Sequence, residues 1–213
     1  MSDFQAVSDE YVVDTVTVRA FVGDARAAIA DADSPEAACD AIRPAFTRLL
    51  ADQDWLPDEY LEPAFESGMG GGIGQWLVYR AEDRSLCLFS LVVPPGAETP
   101  VHDHLAWGLV GLYRGTQDEE IYERGSGALE RVARRALGPG DFYALIPPHN
   151  DIHRVRTTSA ETSVSIHLLA NDTGCVWRHV YDPESGEPAP FRSGYANVEC
   201  AAEAGRDPET AVG

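Results

Sequence analysis

A chain of 213 residues with 44% hydrophobic content carries enough apolar material for one sizeable core. Its formal net charge is −19 and all 16 basic residues are arginine, which argues against nucleic acid or an anionic membrane as partner and excludes Schiff-base or general-base chemistry by lysine. No apolar run approaches the roughly 18 residues needed to span a bilayer. The start, Met-Ser-Asp-Phe-Gln-Ala-Val-Ser-Asp-Glu, has neither the basic nor the apolar stretch of a signal peptide, so a cytoplasmic location is expected. Cys39, Cys87, Cys175 and Cys200 are widely spaced with no CxxC, and in that compartment they read as free thiols.

Residues 15 to 56 read as helical. Val16, Val18, Phe21, Val22, Ala25 and Ile29 recur at helical spacing, and Ser34-Pro35-Glu36-Ala37 is a helix start with serine as N-cap and proline at the first helical position. An apolar stripe of Ala38, Ile42, Phe46, Leu49 and Leu50 continues it, and Pro44 inside the run is expected to kink or split it. The glycine cluster from Gly68 to Gly74 reads as a turn or flexible loop.

From Gln75 the pattern changes to short strands: Trp76–Arg80, Leu86–Val93, Gly108–Tyr113, Glu119–Glu123, Leu129–Arg135, Asp141–Ile146, His153–Thr157, Ser163–Leu169 and Trp177–Tyr181. Glycine and proline punctuate them, as an all-β barrel or sandwich requires. A single domain over 1–213 is expected, with helices at 15–56, a barrel at 75–197 and a frayed tail at 198–213.

Three histidines carry the chemistry. His102 and His104 are two apart, and in a strand such residues face the same side; His153 follows about fifty residues later, beyond several strands. Three neutral imidazoles on one divalent ion leave coordination positions open for a substrate and a second reactant.

The spacing Gly96-x5-His102-x-His104-x3-Gly108-x6-Gly115 resembles the first motif of the cupin barrels, G-x5-HxH-x3,4-E-x6-G, and Pro148-x-Asn150-x2-His153 resembles the second, PxGxxH. The resemblance covers roughly residues 76 to 182 and implies a double-stranded β-helix, or jelly-roll, barrel with a helical N-terminal segment. Asn150 stands where the motif has glycine, a change compatible with the left-handed conformation. Gly108 stands where the motif has a glutamate ligand, leaving an all-histidine set.

The block from His102 through Trp107 to Gly108, with His153-Arg154-Val155, looks like the thiol dioxygenases of the cysteine dioxygenase group. Ser165-Ile-His167, Arg178-His179-Val-Tyr-Asp-Pro183 and the run from Gly186 to Tyr195 resemble the bacterial 3-mercaptopropionate dioxygenase branch. That resemblance implies Fe(II) on His102, His104 and His153, with a small thiol and O2 as reactants and a sulfinate as product. It places Ser165 and His167 in an outer hydrogen-bonded series beside the metal and Arg178 on the substrate carboxylate. The series ends in a tyrosine in the family; here the position is Leu169, which shortens the relay and leaves room for a bulkier thiol or thione such as ergothioneine. Gly108 also excludes the cysteine–tyrosine cross-link of mammalian-type cysteine dioxygenase. Trp107, beside the motif, is a candidate for lining the substrate pocket. The rival readings are a cupin using Zn, Mn or Ni for isomerisation or hydrolysis, and a cupin module that binds a small ligand without catalysis.

Overall fold

The computed structural model describes residues 8–65, 67–125 and 128–200. Two helices, α1 (Val16–Asp31) capped by Thr15 and α2 (Pro35–Ala51) capped by Ser34, precede every strand but the first. The strands among the described residues are, in chain order, β1 (Glu10–Tyr11), β2 (Gly74–Arg80), β3 (Cys87–Val93), β4 (Val101–His102), β5 (Gly108–Arg114), β6 (Gln117–Arg124), β7 (Leu129–Leu137), β8 (Phe142–Leu145), β9 (Ile152–Thr157), β10 (Ser163–Leu169), β11 (Arg178–Tyr181) and β12 (Pro188–Phe191). The nine strands expected from the sequence are all present; the two-residue strands β1 and β4 and the proline-bearing β12 were not anticipated.

All strand pairs are antiparallel, in two six-stranded sheets ordered β1-β2-β3-β10-β5-β8 and β12-β11-β4-β9-β6-β7. The inner eight, β3-β10-β5-β8 facing β4-β9-β6-β7, have the order of two interleaved Greek keys, which defines a jelly roll. Strand β10 shows how the sequence produces it. Val164, Ile166 and Leu168 face a core shared with the helices, while Leu169 belongs to the core between the sheets. Every residue of β10 is buried, because α1 and α2 cover the outer face of its sheet.

Helix α2 runs unbroken through Pro44, so the expected split does not occur. The hydrogen bond lost at proline is offset by packing: Ala38, Cys39, Ile42, Ala45, Phe46, Leu49 and Leu50 are all buried. The cysteine expectation also needs correction. Cys175 and Cys200 form a disulfide, and only Cys39 and Cys87 are free among the described residues, both buried. A separation of 25 residues with no motif carries no local signal; the return of the chain after β12 brings the two together. Val198 and Cys200 consequently pack against the inner core, whereas the rest of the expected tail, 201–213, lies outside the described residues. No helix among the described residues is long and apolar enough to cross a membrane.

Candidate metal centre

His102 ends β4, and His153 is its cross-strand partner on β9. His104 lies beyond the strand, followed by Leu105 with φ of 53°. A held turn, rather than alternation along one strand, therefore brings His104 to the other two. Asp151 accepts the backbone N–H groups of His104 (2.8 Å) and Leu105 (3.2 Å), and Asn171 donates to the His104 carbonyl (3.1 Å). Asn150 beside it has φ of 58°, the left-handed conformation that the motif's glycine would adopt. The carboxylate of Asp103, between the two histidines, accepts from His179 N–H (2.8 Å) and Tyr181 O–H (2.8 Å), tying the turn to β11.

The three ring centroids lie 4.8 to 5.0 Å apart, and their ligating nitrogens all fall within 4.8 Å of one another. None of the three residues is more than 2% exposed. Their outer nitrogens face acceptors. His102 Nδ1 is 2.9 Å from the Pro100 carbonyl, His153 Nδ1 is 2.5 Å from Glu119 Oε1, and His104 Nδ1 lies 3.4 Å from Asp151 Oδ1. A carbonyl or carboxylate oxygen only accepts, so Nδ1 of His102 and of His153 carries a proton and Nε2 is the nitrogen left for a metal. Nδ1 of His104 is buried without a hydrogen-bond partner. Burial, reinforced by the charges of His153 and Arg178, holds both His102 and His104 well below the ordinary histidine range. His102 and His104 are thus neutral nitrogen donors, and with the second nitrogen of His153 they form a three-imidazole set that fits a divalent transition metal.

Gly108, the position of the motif's glutamate, has no room for a side chain. A Cβ there would lie 1.9 Å from the Leu168 carbonyl oxygen and 2.9 Å from Leu169 Cδ2.

Beside the trio, Ser165 Oγ and His167 Nε2 are 2.9 Å apart on β10. The His167 ring stacks on Phe89 (4.6 Å, 20°), lies 6.2 Å from His104 centroid to centroid, and has a buried, unpartnered Nδ1. Burial lowers its pKa to about 3, with the charges of His153 and Arg178 adding to the effect. Leu169 is fully buried in an apolar cluster with Phe89, Val110, Leu145 and Tyr195. Arg178 is 1% exposed; its guanidinium donates to the Asp103 carbonyl (2.7 Å), Ser193 Oγ (2.9 Å) and the Thr173 carbonyl (3.4 Å). Burial lowers its pKa to about 10, against the pull of Asp103. Trp107 is not brought to this group. It packs against the helix-side core and lines a cavity of about 500 Å³ with Arg26, Ile29, Leu86 and Ala170, none of which belongs to the site.

Two participants were missed in the sequence. Glu119, fully buried on β6, accepts from both His153 Nδ1 and Tyr143 O–H at 2.5 Å. Burial pushes its carboxyl up, but bonds from His153 and Tyr143 and the Arg135 charge outweigh that and leave it below the usual value. Asp151, also buried, holds the His104 turn. The available signal for Glu119 was the alternation Gln117, Glu119, Ile121 on the inward face of β6.

No family model matches the chain. Solved structures with a similar outline include a double-stranded β-helix protein of unassigned function from Klebsiella pneumoniae (15% identity over 67% of this chain and 99% of that one, TM-score 0.41). A cupin domain of an XRE-family transcriptional regulator from Enterobacter cloacae matches at 18% identity over 46% of this chain and 94% of that one (TM-score 0.35). An oxalate decarboxylase from Lactobacillus farciminis, of whose length the chain spans only 31%, matches at 12% identity over 50% of this chain (TM-score 0.39). The strand order described above makes the fold an all-β cupin barrel with a helical N-terminal segment.

Proposed function

We propose that this chain is a cupin-type thiol dioxygenase that holds Fe(II) on His102, His104 and His153 and converts a small thiol and O2 to the sulfinic acid, RSH + O2 → RSO2H. The observation that carries the reading is the ligand set: three converging imidazoles, with position 108 sterically closed to the carboxylate that would otherwise join them. When bound, the iron would supply a Lewis-acidic, redox-active centre with open positions for both reactants.

The surrounding residues have roles consistent with this chemistry. Arg178 uses three of its five N–H donors on Asp103, Ser193 and Thr173, leaving two for a substrate carboxylate. Ser165 and His167 share one proton across their 2.9 Å contact, so the His167 tautomer decides whether Nδ1 offers a proton or a lone pair. Leu169, Phe89 and Val110 form an apolar wall without the hydroxyl that the family's tyrosine would place there, which favours a bulkier thiol or thione over 3-mercaptopropionate.

Oxygen-electrode assays of Fe(II)-loaded protein with cysteine, cysteamine, 3-mercaptopropionate and ergothioneine test the proposal. Oxygen uptake matched one-to-one by sulfinate is expected, fastest with ergothioneine and abolished by His153→Ala. Iron binding without oxygen uptake on any thiol would overturn the activity. A faster rate with 3-mercaptopropionate would return the narrower substrate. Purification with tightly held Zn, Mn or Ni and no oxygen chemistry would favour an isomerase or hydrolase.

A further inference from the structure

Glu119 is the meeting point of four neighbouring strands. It projects from β6 with 0% exposure. His153 reaches it from β9 and Tyr143 from β8, both at 2.5 Å to Oε1. Arg135 reaches it from β7, directly opposite in register, with Nε 3.2 Å from Oε2. The Arg135 guanidinium also covers the Tyr143 ring at 4.0 Å. A buried carboxylate is costly unless it is compensated; here two hydrogen bonds converge on Oε1, while Oε2 has no hydrogen-bond partner and is offset by the Arg135 charge beside it.

The other histidines lack this arrangement. His102 leans on a neutral backbone carbonyl, and His104 stands 3.4 Å from Asp151, whose oxygens are taken up by backbone N–H groups. Only His153 donates in a short, charge-assisted bond to a carboxylate that is itself held in place. Such a bond fixes the tautomer, pins the ring and raises the basicity of the opposite nitrogen.

We infer that Glu119, held by Tyr143 and Arg135, is a positioning residue of the metal centre that makes His153 its dominant ligand. This rests on the histidine trio being a metal site, but not on thiol chemistry. Tyr143 extends the control: its hydroxyl donates to the same oxygen, so its loss frees that oxygen to move away from His153.

Cobalt(II) is the probe, because it reports both affinity and ligand field. Chelator-competition titrations and visible spectra would be recorded for wild type, Glu119→Gln, Tyr143→Phe and Glu120→Gln. Glu120, the next residue, points to the outer surface and pairs with Arg154, Arg131 and Tyr122, so its variant is the control. The expected result is a 10- to 100-fold weaker cobalt affinity with shifted bands for Glu119→Gln, a smaller loss in the same sense for Tyr143→Phe, and no change for Glu120→Gln. A purely structural Glu119 would lower the unfolding midpoint of the metal-free protein and leave affinity and spectrum of the folded variant untouched, which overturns the proposal. Should Glu119→Gln fail to fold, unchanged affinity and bands in Tyr143→Phe overturn it equally. Wild-type protein that binds no cobalt removes the metal site itself, an outcome distinct from a bound metal indifferent to Glu119.

Discussion

His167 Nε2 lies 2.9 Å from Ser165 Oγ, two residues back on the same strand, while its other ring nitrogen is buried with no partner among the described residues. This imidazole has a folded-state pKa of about 3, chiefly because burial disfavours its charged form. In the unfolded chain it would titrate near pH 6.5. Above that pH both states are neutral and the residue is indifferent to pH. Below it the unfolded chain takes up a proton that the folded chain refuses, so stability falls as pH drops toward 3. Wild type should therefore lose about 2 kcal/mol more than His167→Gln between pH 7 and pH 5. Urea melts at the two pH values measure this; parallel losses would show that His167 titrates normally.

Gly108 gives a steric prediction. Since a Cβ would fall 1.9 Å from the Leu168 carbonyl, restoring the motif's glutamate should not add a ligand. Gly108→Glu and Gly108→Ala should both be destabilised, by about 3 kcal/mol or more, lowering Tm by about 6–12 °C. A thermally normal Gly108→Ala would mean that β5 and β10 can separate at little cost.

Arg178 separates substrates by charge. Lysine cannot reproduce a fork that holds the Asp103 carbonyl and Ser193 together and still offers two donors. Under the proposed activity, Arg178→Lys should lower kcat/KM about 10-fold or more for 3-mercaptopropionate and change it little for cysteamine, which has no carboxylate. An unchanged ratio between the two thiols would make Arg178 a purely structural residue.

The disulfide is testable by counting. Denatured protein should show two reactive thiols, Cys39 and Cys87, and four after reduction. Closing a loop with a sequence separation of 25 is worth about 3 kcal/mol, so Cys200→Ser should melt about 6–12 °C lower. Four thiols without reductant would contradict the pairing.

Much of this architecture was legible in the sequence because it depends on local pattern. Alternation and glycine or proline punctuation mark nine of the strands, and the spacing from Gly96 to Gly115 locates two of the three histidines. What was not legible depends on where strands meet. Glu119 is one acid among 35 Asp and Glu, and only its register against Val155 and Arg135 reveals its partners. Trp107 neighbours a site motif in sequence yet packs on the opposite side of its sheet, and Cys200 meets Cys175 only after the chain has turned back past β12. Pro44 misled for the same reason: tertiary packing, invisible locally, holds α2 together.

Strand β4 is two residues long and meets β9 through a single register pair, His102 opposite His153, whereas β6 meets β9 through six. The seam of the barrel with the fewest rungs therefore runs through the histidines. An ion gripped by both side chains acts as a rivet across that seam, so loading the centre and fastening the wall become one event. Amide exchange at His102 and His153 should slow on metal addition well before the rest of the β6–β9 ladder responds, because a single register pair joins β4 to β9.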